Sequence, residues 1–286
     1  MSPDGRILIV TVTYDSGGHL EKFLASVPAA TTRAYTVVVV DNGSSDGAPR
    51  AAALADPDLS LLELDENVGY GSAINAAARD LDADVDWILI ANPDTELAPG
   101  SVDALVEEGM RDARIGALGP AITDEAGVPY PSARRFPSIV SGTGHALFAR
   151  IWKNNPWSTA YLMAGVEGGS RDVDWLSGAC LLVRREAYVD VSGFDEGYFM
   201  YFEDVDLSLR LHRAGWLRRF VPSASIVHVG AHSTSGRRAA MVKAHHVSAG
   251  RFVDTLYPGP LAAPLRLVVH VGLRVRAALL ARHGAP

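Results

Sequence analysis

A single cysteine in 286 residues, Cys180, excludes any disulfide within the chain and fits a reducing compartment. No stretch approaches the roughly 18 uninterrupted apolar residues of a membrane span. The opening MSPDGRILIV has neither a basic n-region nor a long apolar run before a small-residue cleavage site, so no signal peptide is expected. The expectation is a cytoplasmic protein, free to sit peripherally on the inner face of the plasma membrane. The segment TYDSGGH (13–19) has no GxGxxG fingerprint, which argues against a dinucleotide-binding dehydrogenase. It also has no Lys or Arg, which argues against a nucleotidyltransferase with an early basic phosphate loop. There is no internal repeat, low-complexity tract or Pro/Ser-rich linker. Charged residues are 21% and hydrophobic ones 48%, enough for one large α/β domain or a domain with an appendage.

The net charge of −7 is unevenly placed. Residues 205–286 carry 12 Lys/Arg against two acids, Asp206 and Asp254, while residues 1–204 are strongly acidic. A basic C-terminal stretch on an acidic body suits an anionic partner surface, nucleic acid or anionic lipid; an ordinary solvated face gives the same composition. Residues 260–283 place Arg266, Arg274, Arg276 and Arg282 among Leu, Val and Ala with no acid. That pattern predicts a helix lying in the headgroup region, and equally allows one packed on the domain or between copies in a homo-oligomer. A membrane surface, not nucleic acid, is the expected partner.

Apolar runs at 6–13, 35–41, 59–65 and 87–94 read as buried strands, with helical segments between them, the first near 19–29. A helix near 100–111, a strand at 115–122, a turn at 124–127, a helix from 203 or 204 to before Gly215 and a strand at 225–230 follow. Residues 130–172 read as a long substrate loop or insertion. Alternating β and α predicts an α/β fold, a mostly parallel central sheet with helices on both faces. We expect one domain over 1–235 and a basic helical extension over 236–286.

Polar residues gather where each of the first four strands ends: Thr13-Tyr14-Asp15, Asp41-Asn42-Gly43-Ser44, Asp65-Glu66-Asn67 and Asn92-Pro93-Asp94. Ligands of open α/β sheets bind beyond the carboxyl ends of the strands, so these loops describe one site. Asp41 can accept the N3–H of a pyrimidine base, or simply mark a strand–turn–helix junction. Gly69 and Gly71 open a helix where small residues let a nucleotide approach backbone N–H groups, or form a turn without a ligand. Asp94 can hold Mg²⁺ or Mn²⁺ through oxygen, or serve as a turn residue. Glu203 and Asp204 begin a helix after an aromatic run, as caps or as an enclosed general base. His228 reads as a core residue unless the fold brings it to Asp94. Trp175 can stack on a sugar ring or fill the core, and His232, His245 and His246 read as surface or hinge residues.

Together, TVTYDS, VVVVDNGSSDG, ENVGYGSAINAA, ANPDTEL, the long WLSGACLLVRRE…YFMYFEDVDLSLRLHRAGW block and IVHVG resemble glycosyltransferase family 2 over about four-fifths of the chain. PSARRFPS and NPWSTAY resemble bacterial rhamnosyltransferases. The resemblance implies a GT-A, Rossmann-like fold and inverting transfer from a nucleotide-sugar donor. It implies dTDP-β-L-rhamnose as donor and polyprenyl-diphosphate-linked N-acetylglucosamine as acceptor, in cell-wall linker synthesis. Residue by residue, Thr13 and Asp41 would hold the base, with Tyr14, Asn67, Gly69 and Asn92 lining the nucleotide. Asp94 and His228 would carry the metal, Asp204 would be the base with Glu203 beside it, and Trp175 would meet the acceptor. The first position of the DxD-like motif is Asn92, a departure from Asp. Other readings are a UDP-sugar donor on the same fold, a nucleotidyltransferase, or a non-catalytic sugar-nucleotide binder. The last has no need for Asp94, Asp204 and His228 to converge.

Overall fold

Unbroken Ile/Val/Leu runs build the centre of the molecule. The computed structural model describes residues 5–79, 81–136, 168–229 and 238–282. Its elements begin with β1 (Arg6–Thr13), α1 (Gly18–Ala30), β2 (Tyr35–Asp41), α2 (Ala48–Ala55), β3 (Ser60–Glu63), α3 (Tyr70–Ala77) and β4 (Val85–Ala91). Next come β5 (Thr95–Leu97), α4 (Ser101–Met110), β6 (Ile115–Thr123), β7 (Pro129–Tyr130), β8 (Ala133–Arg134), β9 (Arg171–Asp172), β10 (Trp175–Leu176) and β11 (Cys180–Arg184). The chain continues through α5 (Arg185–Asp190), α6 (Glu203–Arg213), β12 (Leu217–His228), α7 (Arg238–Leu256) and α8 (Ala263–Arg282).

The main sheet runs β3-β2-β1-β4-β11-β6-β12-β5. β3, β2, β1 and β4 are mutually parallel, and β12 is parallel to β6. Alternate residues of each strand serve opposite layers. Leu8, Val10 and Val12 of β1 face a cluster completed by α3, α5 and α6, while Ile7 and Ile9 face Phe23 and Val27 of α1 and Val102, Leu105 and Val106 of α4. Helices therefore cover both faces, and the strands between them are fully buried, as continuous apolar runs require.

Three details depart from the sequence expectation. β11 enters antiparallel between β4 and β6; alternation of elements alone carries no sign of this. β12 starts at Leu217, not Ser225, because Arg218 is buried with its guanidinium donating to the carbonyls of Asp174 and Trp216. β3 is shorter than 59–65, and 92–94 turn away from β4. Of the stretch 130–172, residues 137–167 lie outside the described residues, as do His232 and the expected boundary at 235. The described ends of that stretch are pinned: β8 pairs with β10 and β9 with β12. Cys180 sits opposite Ala91 in the sheet, and burial pushes its thiol up to about 12.

Candidate active site

Because β1 to β4 are parallel, their carboxyl ends share one edge. The loops there are sewn to one another. Asn42 N–H donates to the Thr13 carbonyl at 2.9 Å, and its side-chain oxygen accepts from Val68 N–H at 2.9 Å. The Asn42 amide nitrogen donates to Asn67 Oδ1 at 3.0 Å, which also accepts from Gly69 N–H at 3.0 Å. Asp41, nearly buried, accepts from Ser44 N–H at 2.8 Å. Asp15 accepts from Ser45 N–H, and Gly17 N–H donates to Asp46 at 2.8 Å. Thr13, wholly buried, bonds Ser16 through paired hydroxyls, and Tyr14 is half-buried at the rim. Loops that would otherwise move are thus held by neutral and charge-assisted hydrogen bonds before any ligand arrives.

Gly69 also meets a packing need that the sequence did not reveal. Its φ is +92°, and a Cβ there would lie 2.5 Å from the Phe199 carbonyl oxygen. Tyr70 N–H donates to that same oxygen at 3.1 Å. The glycine is required by the close approach of the 195–202 loop, which brings the start of α6 to the loops after β2 and β3.

Strand pairing sets Asp94 beside His228. β12 runs antiparallel to β5 with His228 opposite Thr95, and Val229 N–H donates to the Asp94 carbonyl. His228 Nε2 lies 3.2 Å from Asp94 Oδ1, and the Asn92 amide is 3.4 Å from the same nitrogen. Burial alone would raise the Asp94 carboxyl, but the hydrogen bond and charge of His228 hold it below its usual value. Among the described residues, no group of three or more His, Cys, Asp or Glu is arranged to hold a metal.

The second acidic site opens α6. Asp204 Oδ2 accepts from Gly178 N–H at 2.9 Å, and Oδ1 from Val205 N–H at 2.8 Å. A Cβ on Gly178 would crowd the Asp204 side chain at 3.2 Å, so that glycine admits the carboxylate. Glu203 is 8% exposed and its Oε2 has no hydrogen-bond partner. Asp204 is half-buried as a residue, with its carboxylate enclosed. Burial, then the charge of Asp204, pushes the Glu203 carboxyl up to about 8. Burial raises Asp204 as well, but the Gly178 and Val205 N–H groups and the Arg134 charge restrain the rise. Both carboxyls are raised, and the N–H groups that favour the charged form of Asp204, which Glu203 Oε2 lacks, bias the shared proton toward Glu203.

Three side chains join these parts without having been given a role of their own in the sequence. Asn42 is the clamp of the nucleotide-side loops. Tyr70 donates its hydroxyl to the Gly178 carbonyl at 3.0 Å; burial and the charges of Glu203, Asp204 and Asp94 raise it well above its usual value. Arg134 lies over the Trp175 ring at 5.0 Å and the Tyr130 ring at 5.4 Å, and Tyr130 meets His228 edge-on. The hydrophobic–Gly–Tyr step 68–70 and the paired arginines 134–135 were the available signals. Trp175 is 5% exposed, with its indole N–H on the Arg135 carbonyl and its ring packed near Tyr198, Val205 and Phe252. It is an enclosed support for Arg134, not an open stacking platform.

The sheet and helices that carry this edge have the fold of GT-A glycosyltransferases. The fold matches a mannosyltransferase of Pyrobaculum calidifontis, solved with GDP-mannose and Mn²⁺, at TM-score 0.60 and 18% identity over 99% of this chain and 80% of that one. It also matches GalNAc-T7, solved with UDP, GalNAc and Mn²⁺, at TM-score 0.59 and 16% identity over 97% and 55%. The sequence profile described as Glycosyl transferase family 2 matches residues 8–189, and the chain belongs to that family. It is 47% identical to the N-acetylglucosaminyl-diphospho-decaprenol L-rhamnosyltransferase of Mycobacterium tuberculosis over 96% of this chain and 92% of that protein.

Proposed function

We propose that this glycosyltransferase moves L-rhamnose from dTDP-β-L-rhamnose onto a polyprenyl-diphosphate-linked N-acetylglucosamine, with inversion. The observation that carries the chemistry is the carboxylate pair opening α6: Glu203 is buried with an unpartnered oxygen, while Asp204 is held by the N–H groups of Gly178 and Val205. Asp204 takes the proton of the acceptor hydroxyl as that oxygen bonds the anomeric carbon; the bond from that carbon to the nucleoside diphosphate breaks on the opposite face. Asp204 then releases its proton to solvent. Asp41 accepts from the N3–H of the base, and Thr13, Tyr14, Asn67, Gly69 and Asn92 line the nucleotide. The substrate reading is supported by 47% identity to the mycobacterial enzyme along nearly the whole of both chains.

Asp94 and His228 fit a divalent cation, Mg²⁺ or Mn²⁺. They offer one carboxylate oxygen and one imidazole nitrogen 3.2 Å apart, at the edge where the diphosphate would supply further oxygens. When bound, such an ion neutralises charge on the departing diphosphate. The other partner is an anionic membrane surface, met by the extension over 236–286, with 1–235 as the transferase unit. Thermal shift with a panel of nucleotide sugars plus Mn²⁺ tests the donor. dTDP-rhamnose should stabilise the protein and support transfer; equal stabilisation and transfer with UDP-sugars overturns the donor assignment.

A further inference from the structure

α8 lies on α7 by one face. Arg266, Val269, His270, Leu273 and Ala277 are its half-covered positions. There, Arg266 donates to the carbonyls of Tyr257 and Gly259 at 2.8 Å, and His270 Nε2 meets Asp254 at 3.0 Å. The opposite face is apolar and open: Val268 is 69% exposed, and Leu265, Val271 and Val275 are exposed with it, with Leu261, 98% exposed, in the turn just before the helix. Their spacing keeps them on one stripe of the helix. Arg274 and Arg276, both exposed, flank the stripe, and no acid follows Asp254 to the end of the chain. No helix of the described residues is long and apolar enough to cross a membrane.

We propose that this stripe is where the enzyme lies on an anionic lipid surface, deepening the reading of a lipid-linked acceptor on which it rests. Charge selects the occupant. Two copies pairing by this face would bring Arg274 and Arg276 of each together with no acid on the helix to answer them. Phosphate headgroups do answer them, while Leu and Val enter the acyl boundary. The surface is tied to the chemistry. Ser248 of α7 donates to the Met200 carbonyl at 2.7 Å, Arg251 holds Asp195 at 2.8 Å, and Phe252 packs on Phe202. The 195–202 loop so held ends in Tyr201 and Phe202, both left-handed in φ, and passes at once into Glu203 and Asp204. A docked α8 therefore sets the base beside the lipid boundary, where a hydroxyl carried on a lipid diphosphate is found.

Co-sedimentation of the full chain with phosphatidylglycerol/phosphatidylcholine vesicles, against phosphatidylcholine alone, tests this. The wild type should pellet with the anionic mixture. Val268→Asp/Val271→Asp, changes at exposed positions, should cut that binding about tenfold or more with an unchanged thermal midpoint. Arg274→Glu/Arg276→Glu should cut it similarly and remove its salt sensitivity. Equal pelleting of both variants and the wild type overturns the proposal. So does a shift from dimer to monomer in Val268→Asp/Val271→Asp with vesicle binding intact, which would give the face to a second copy. Rhamnosyl transfer to a short-chain soluble acceptor should be the same in the variants and the wild type. Its absence from the wild type counts against the rhamnosyl reading and leaves the vesicle result standing.

Discussion

The two sides of the cleft are built on opposite terms. On the nucleotide side, polar groups find partners within the protein: Asn42 bonds three loops together, Asp41 accepts from Ser44, and Asp15 accepts from Ser45. On the acceptor side, Glu203 keeps an unpartnered oxygen in the interior, and two aromatic residues precede it with left-handed backbone. Such groups cost stability, and the packing around them must offset that cost. The contrast teaches that the proposed donor seat is preorganised by satisfied bonds, whereas the proposed base sits in a pair with one group left unsatisfied.

The sharpest break is Asp204→Asn, which keeps the shape and removes the basicity. Transfer should fall by about 10²- to 10⁴-fold, the usual worth of a positioned general base, with donor affinity nearly unchanged. Calorimetric donor titration beside a transfer assay reads both, and near-normal turnover would remove Asp204 from the mechanism. On the other side, Asp94→Ala should lower turnover by about 10²-fold and flatten its dependence on added Mn²⁺, while circular dichroism stays unchanged. Full activity of the wild type in excess chelator would defeat the cation assignment.

Gly69→Ala probes the seam between the sides. The added methyl meets the Phe199 carbonyl at a left-handed position, so a loss of about 2–5 kcal/mol in stability is expected from denaturant melts. A neutral effect would show that the 195–202 loop yields easily.

The smallest effect on rate belongs to Glu203→Gln, within about tenfold at neutral pH, because the glutamate is already protonated there. Its larger signature is in pH. The folded-state value of Glu203, about 8, lies above its ordinary value near 4.5. The folded protein therefore binds the extra proton between those values, and wild-type stability should decline as pH climbs through that window. Glu203→Gln should remove that decline and leave the acid limb of turnover in place, because the carboxyl it replaces is already uncharged on that limb. Parallel melts of the two proteins at pH 5 and about pH 8.5 compare the slopes.

What the sequence made legible follows the same divide. β1 and β2 were readable to the residue because β-branched runs at 6–13 and 35–41 have no competing pattern. The strand-end rule then located Thr13, Asp41 and Asp94 on one edge. α6 was readable because its polar start and Gly215 stop bracket a helical repeat. The insertion of β11 was not, since an antiparallel neighbour and a parallel one look alike in a fully buried strand. The start of β12 was hidden by two arginines that reach backbone and carboxylate partners only in three dimensions. The roles of Asn42, Tyr70 and Arg134 were hidden because their value lies in contacts 25 to 108 residues away or in ring stacking.

Cys180 gives this architecture a built-in gauge. The thiol is sealed in the sheet two residues beyond the Gly178 that holds Asp204, and burial keeps it protonated at neutral pH. Alkylating reagents need a thiolate in contact with water, so this sulfur can react only when the centre of the sheet opens. Its labelling rate in the native protein then counts those openings directly. A bound donor that clamps the neighbouring loops should slow the clock, with no probe added to the chain.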